Sequence, residues 1–284
     1  MSENVARTGF ATSGDVRIHF RAFGKPGKTP IIIVHGMSYF SYDWIETAQR
    51  LAGDREVAAI DQRGFGDSDW SLTRKYDLPQ QAADVVAVLD HLGWQQAVLM
   101  GHSAGGRICL CTASWYPERA KAFVSVDFAP DLAPPGRRKV AEQIGRQPDV
   151  FASVDEALQY HRHDPGLPAD SPMRKRFEAF LKPVDGGYAL KRDLHYRDQF
   201  KHVLDTGKSH PPEVDAWALL KELKIPMLVI RASGSDLFAP ETMDKVRMAN
   251  SNAEVMEIEG SHDLAHDNPQ GVSAAVRRFL EAVG

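Results

Sequence analysis

Covalent cross-linking has almost no place in this chain: of 284 residues only Cys109 and Cys111 are cysteines. Two thiols two positions apart on one helix point to different faces. They therefore read as core packing, not as a disulfide or a metal pair. No apolar run approaches the about 20 residues needed to cross a bilayer, and the segment Met1 to Arg7 lacks the apolar stretch of a secretory leader. Positive charge is not in excess either. Thirty-four Lys and Arg stand against 38 Asp and Glu, a formal net charge of −4, which leaves no basic footprint for nucleic acid. Internal repeats and low-complexity tracts are missing too. These absences predict a cytoplasmic protein, monomeric or homodimeric, whose partner is a small molecule rather than nucleic acid or a membrane.

What is present is a regular alternation. Residues 5–12 and 16–23 read as an opening hairpin around Ser13-Gly14-Asp15. Strands near 31–35, 56–61, 96–101 and 121–127 then alternate with helices near 43–52, 78–92 and 104–116. Leu78, Ala82, Val85, Leu89 and Leu92 recur at steps of three and four, one core-facing stripe. Such alternation predicts a mostly parallel sheet covered on both faces. It breaks after Val124-Ser125-Val126-Asp127. From 131 to 222 there is no strand-like run, only helical segments punctuated by prolines. Strands resume at Ile225, so 131–222 reads as a helical insertion that folds over a core made of 1–130 and 223–284. By count the insertion holds 15 Lys and Arg and 15 Asp and Glu, and five of the chain's 11 histidines: His161, His163, His195, His202 and His210.

The pentapeptide Gly101-His102-Ser103-Ala104-Gly105 lies between the apolar run Ala97 to Met100 and the helix-like stretch from Gly106. Strand, G-x-S-x-G, helix is the context of a nucleophile elbow, a turn so tight that the serine is strained and its hydroxyl exposed. A serine hydroxyl attacks only when a base takes its proton, so a histidine and an acid are needed. Asp236 follows the strand-like Ile225 to Arg231, and His262 follows the strand-like Ala253 to Ile258; they are 262 − 236 = 26 residues apart. Asp127, which also follows a predicted strand, competes with Asp236. Asp236 is preferred because Phe128-Ala129-Pro130 leads from Asp127 into the insertion, where an acid serves a turn. His266 competes with His262 but reads as a surface or pocket-rim residue.

With these residues the chain resembles the α/β-hydrolase superfamily, specifically members with a helical cap. The matching residues are His35-Gly36, Asp61-Gln62-Arg63-Gly64-Phe65-Gly66-Asp67-Ser68, the Ser103 elbow, Asp236, and Gly260-Ser261-His262 with Pro269. The resemblance implies a mostly parallel eight-stranded sheet, with the cap inserted after the sixth strand. It implies a Ser103–His262–Asp236 triad, an oxyanion hole from the N–H groups of Met37 and Ala104, and no cofactor or metal. The implied reaction is cleavage of a small ester, lactone or thioester; cleavage of a carbon–carbon bond in a vinylogous diketone, or of a small amide, is the alternative. A receptor built on the same fold is the reading from a different class. Relatives that open epoxides use aspartate where this chain has Ser103.

Candidate substrate-contacting residues are Gly36, Tyr39, Phe40, His102, Arg107, His161, His195 and Tyr196. His35 is expected to hold the oxyanion loop, and Asp61 with Arg63 to form a pair that fixes the loop beneath the site. His161-Arg162-His163 is expected on a polar cap surface, since its spacing suits no metal.

Overall fold

The computed structural model describes residues 6–208 and 211–283; His210 and most of the segment before Arg7 lie outside them. In chain order the elements are β1 (Arg7–Ser13), β2 (Val16–Phe23), β3 (Lys28–Val34), a short 3₁₀ turn (Ser41–Trp44), α1 (Ile45–Leu51), β4 (Arg55–Ile60), α2 (Leu78–His91), β5 (Ala97–His102), α3 (Ala104–Trp115) and β6 (Ala120–Val126). Then follow α4 (Pro134–Gly145), α5 (Val154–Tyr160), α6 (Pro172–Phe180), β7 (Leu181–Val184), β8 (Gly187–Leu190), α7 (Leu194–Thr206) and α8 (Ala216–Glu222). The chain closes with β9 (Met227–Ala232), α9 (Pro240–Ala249), β10 (Ala253–Ile258), α10 (Leu264–Asp267) and α11 (Pro269–Val283).

Eight strands form one sheet in the order β1-β2-β4-β3-β5-β6-β9-β10, antiparallel at the β1 and β2 edge and parallel from β4 to β10. Alternation along the strands divides the interior in two. Ile32, Val34 and Leu99 point to a cluster roofed by α2, α3 and α8, while Ile31, Ile33, Val98 and Met100 point to one roofed by α1 and α11. Cys109 and Cys111 are buried in the first cluster as free thiols. Parallel strands buried on both faces explain the near-continuous apolar runs of β3, β5 and β9.

The segment between β6 and β9 differs from expectation in two respects. It contains a two-stranded antiparallel ribbon, β7 with β8, closed by Gly186 and Gly187 at positive φ. Two four-residue strands around Asp185-Gly186 are too short for a periodic signal, and their exposed faces are mixed. The segment builds a third cluster from Phe151, Leu158, Phe177, Phe180, Leu181, Leu190 and Tyr196, and it borrows Phe40, Phe65 and Tyr76 from core loops. Its last helix belongs elsewhere: Leu220 of α8 is buried in the core against α3.

Candidate active site

Ser103 sits between β5 and α3 with φ 51° and ψ −120°, a conformation that L residues enter at a cost of about 1–3 kcal/mol and that turns the side chain out of the sheet. The strand and helix close on each other behind it. A Cβ on Gly101 would strike the carbonyl of Gly105, and one on Gly105 would strike the carbonyls of Val34 and His35. The hydroxyl donates to Nε2 of His262 at 3.0 Å, and Nδ1 of the same ring donates to Oδ2 of Asp127 at 2.6 Å. Asp127 is 2% exposed. Its other contacts also hold the carboxylate still: Oδ1 accepts from the N–H of Ala232 at 2.9 Å, and Oδ2 from the hydroxyl of Ser235 at 2.6 Å.

The partner of His262 is thus Asp127, a correction to the expectation of Asp236. β6 and β9 are neighbours, so an acid after either strand starts close to the histidine. Asp127 takes a left-handed φ of 45°, which swings its carboxylate across the end of β9. Asp236 lies one residue past Ser235, on the outside of that turn, where its side chain is 35% exposed and accepts from Lys139 at 2.6 Å. Proximity of Phe128-Ala129-Pro130 to the insertion did not divert Asp127.

The wall beside Ser103 is the loop after β3. His35 Nδ1 donates to the carbonyl of Gly36 at 2.7 Å while its Nε2 accepts from the N–H of Gln62 at 3.0 Å. This holds the ring in one tautomer, and burial keeps it neutral by lowering its pKa. A Cβ on Gly36 would come within 2.9 Å of Ser103 Cβ, so only glycine lets the loop approach so closely. Met37 and Ala104 are half-buried on the two sides of Ser103. As the first residue of α3, Ala104 has an N–H with no intrahelical acceptor.

Of the expected contact residues, Gly36, Tyr39 and His102 are brought to this place, though His102 serves a different role. It is fully buried, and its Nε2 donates to the backbone carbonyl of His262 at 2.8 Å. Burial, reinforced by the adjacent His262, lowers its pKa to about 3. It seats the segment that carries His262. Phe40 is buried, stacked on Phe180 at 4.7 Å between centroids, and Tyr196 is buried with its hydroxyl donating to the carbonyl of Arg63 at 3.1 Å. Both join the insertion to the core. His195 stacks on Tyr76 at 4.8 Å between centroids, and its Nε2 meets the amide of Gln199 at 2.8 Å. Arg107 is half-buried among the charges of Glu213 and Arg137.

Asp61 and Arg63 do not pair with each other. His19 donates to Asp61 at 2.8 Å, and Arg63 forms a bidentate pair with Asp84 at 2.6 Å. His19, Asp61 and Asp67 have ligand atoms within 4.8 Å of one another. Asp61 is occupied by His19 and by the N–H groups of Ser41 and Asp67, and Asp67 by Lys191 and Arg21, so the group is a hydrogen-bonded brace for the loop.

One feature had no signal in the sequence. Beside His262, Asp43 accepts from Arg176 of α6 and, at 3.3 Å, from Nε2 of His266, whose Nδ1 donates to Asp263 at 2.7 Å. Burial works against charge on the ring, but the hydrogen bonds to Asp263 and Asp43 outweigh it and raise the pKa of His266 to about 9. Burial likewise opposes charge on Asp43, yet Arg176 and His266 bring its carboxyl down to about 2. His266 is therefore an imidazolium inside a network, not the pocket-rim residue expected. His161 also departs from expectation. Its Nε2 is buried without a hydrogen-bond partner, and burial, then the charges of Arg176 and Arg192, lower its pKa to about 3.

Known proteins are similar to this chain along most of its length. The 3-hydroxybutyrate-oligomer hydrolase of Cupriavidus necator is 26% identical over 282 residues, covering 94% of each chain. Epoxide hydrolase 4 of Mus musculus is 34% identical over 284 residues, covering 94% of this chain and 77% of the relative. The crystal structure of E-2-(acetamidomethylene)succinate hydrolase superposes with a TM-score of 0.81 at 23% identity, covering 97% of this chain and 99% of the other. No helix among the described residues is long and apolar enough to cross a membrane. The family model for the alpha/beta hydrolase fold matches residues 29–269, and with an eight-stranded sheet and an elbow serine in place, the chain belongs to the α/β hydrolase fold family.

Proposed function

We propose that this protein is a serine hydrolase that cleaves a small carboxylic ester, lactone or thioester through an acyl-enzyme on Ser103, with Asp127 rather than Asp236 as the acid. The observation that carries the reading is the unbroken hydrogen-bond chain from Ser103 Oγ through His262 to Asp127. Ser103 Oγ attacks the carbonyl carbon as its proton passes to Nε2 of His262. Asp127, bonded to Nδ1, holds the ring in the tautomer that can accept that proton and stabilises the imidazolium. The N–H groups of Met37 and Ala104 receive the oxyanion. The tetrahedral intermediate collapses, the leaving oxygen or sulfur takes the proton from His262, and water repeats the sequence on the acyl group. The residues from 131 to the start of α8 act as a cap that closes over the substrate. Epoxide opening in the manner of a relative with an aspartate nucleophile is disfavoured, because Ser103 cannot supply a carboxylate.

The test is trapping of the acyl group. Wild-type protein mixed with a para-nitrophenyl ester should release nitrophenol in a burst stoichiometric with enzyme and carry the acyl mass on the peptide containing Ser103. Ser103→Ala should lose both and lower kcat by on the order of 10³-fold or more. A folded Ser103→Ala variant with wild-type turnover would overturn the reading.

A further inference from the structure

Five arginines are buried among the described residues: Arg55, Arg63, Arg176, Arg192 and Arg231. Four end on a carboxylate: Arg55 on Asp54, Arg63 on Asp84, Arg176 on Asp43 and Arg231 on Glu257. Arg192 does not. At 3% exposure it donates from Nη1 to Ser38 Oγ at 3.0 Å and from Nη2 to Gln147 Oε1 at 2.9 Å. Both acceptors are neutral. Among the described residues no carboxylate supports its charge, and burial lowers its pKa to about 10 against an opposing influence from Tyr160. A guanidinium has five N–H donors arranged as a fork that fits a carboxylate. A buried cation without an anion is an arrangement that folding does not favour.

The position of this cation matters. Arg192 follows β8, and its backbone is clamped to the core loop: Gly66 N–H donates to the carbonyl of Lys191 at 2.8 Å, and Asp193 N–H to that of Gly64 at 2.7 Å. The side chain then reaches Ser38, next to Met37 in the loop whose Gly36 presses on Ser103. A second donor without an acceptor lies within reach of the Arg192 charge. His161 Nδ1 faces the amide of Gln143 at 3.5 Å; accepting there places the ring proton on Nε2, the buried atom with no partner. An unpaired guanidinium and an unpaired N–H call for one kind of ligand, an anionic acceptor.

We propose that Arg192, with His161 beside it, seats a carboxylate of the substrate, so that the site takes acyl compounds carrying a free carboxylate a few bonds from the scissile carbonyl, such as half-esters of short dicarboxylic acids. For turnover this rests on the acyl-enzyme reading; for binding it stands alone. The test compares para-nitrophenyl hemiglutarate with para-nitrophenyl valerate. In Arg192→Gln the ratio of kcat/KM for the charged over the neutral ester should fall by about 30- to 150-fold, and Arg192→Lys should lie between. A ratio within about threefold of wild type overturns the proposal. Calorimetry with glutarate on Ser103→Ala separates the two readings: glutarate should still bind when the nucleophile is gone, and turnover surviving in Ser103→Ala would instead sink the acyl-enzyme. Should Arg192→Gln fail to fold, wild type decides. Glutarate should compete with the valerate ester while glutaramide does not, and equal inhibition by both, or by neither, overturns the carboxylate seat.

Discussion

The sheet core and the segment between β6 and β9 handle buried charge in opposite ways. In the core, three buried charged groups are closed onto core partners: Arg63 meets Asp84, Arg231 meets Glu257, and Asp127 is enclosed by Ala232, Ser235 and His262. Within the inserted segment the buried cations look outward. Arg176 crosses to Asp43 of the core, and Arg192 crosses to Ser38 without finding an anion. The core can complete its pairs because adjacent parallel strands set Arg231 opposite Glu257 and because α2, packed on the sheet, brings Asp84 to the loop that carries Arg63. The segment between β6 and β9 has few strands to do this, so its buried cations Arg176 and Arg192 reach their partners at the contact with the core. On the proposed reading, chemistry belongs to the core side of this boundary and recognition to the other, a division that one fold can use for many reactions.

The sharpest way to break this comparison is at the acid. Asp127→Asn should lower kcat on the order of 10³- to 10⁴-fold, since an amide holds His262 in the wrong tautomer. Asp236→Asn, which removes only an exposed pair with Lys139, should stay within about threefold of wild type. Parallel kcat measurements settle it; the reverse ranking would return the acid to β9.

The boundary network comes next in size. Asp43→Asn leaves Arg176 and the His266 imidazolium facing no carboxylate at that position, and breaking a buried pair this way costs about 3–5 kcal/mol. Urea unfolding monitored by fluorescence should show that loss. A change under about 1 kcal/mol would mean that the aromatic contacts alone dock the insertion.

The smallest effect is in pH. His266 has its pKa raised from 6.5 to about 9 in the folded protein. Its contribution is fully present below pH 6.5 and is lost as pH rises through 9. Asp43 has the opposite sign: lowered from 3.8 to about 2, it contributes above pH 3.8 and is lost on acidification through 2. The Tm should therefore decline by a few degrees between pH 6.5 and 9, and His266→Gln should flatten that decline. An unchanged slope in the variant would remove His266 from the network.

Much of the fold was legible because it is written locally. The stripe Leu78, Ala82, Val85 and Leu89 is buried along α2 as its period implies, and the apolar runs before Val34 and His102 became central parallel strands. The glycines around Ser103 announced a tight turn, and positive φ at Ser103 agrees with it. The ribbon of β7 and β8 was missed because eight strand residues around a Gly-Gly turn hold too little periodicity. His161 and His266 were misjudged as surface groups, since a histidine's spacing in sequence carries no information about which carboxylate or arginine will face it.

The choice between Asp127 and Asp236 marks the limit most clearly. Sequence alone determined that a serine would stand strained at a strand end, that a histidine would follow the last strand, and that an acid would come from one of two neighbouring strands. Those facts are carried by residues close together in the chain and by the steric demands of glycine and strand. Which carboxylate meets the imidazole was decided by the tertiary structure: the left-handed turn at Asp127 directs its side chain across β9, and the turn at Ser235 leaves Asp236 partly exposed and paired with Lys139. The same holds for Arg192. Its charge is written in the sequence, but its lack of a counter-ion arises only when β8 is clamped against the loops of a core more than a hundred residues away, because hydrogen-bond and ion-pair partners are fixed by distances in space and not by spacing along the chain.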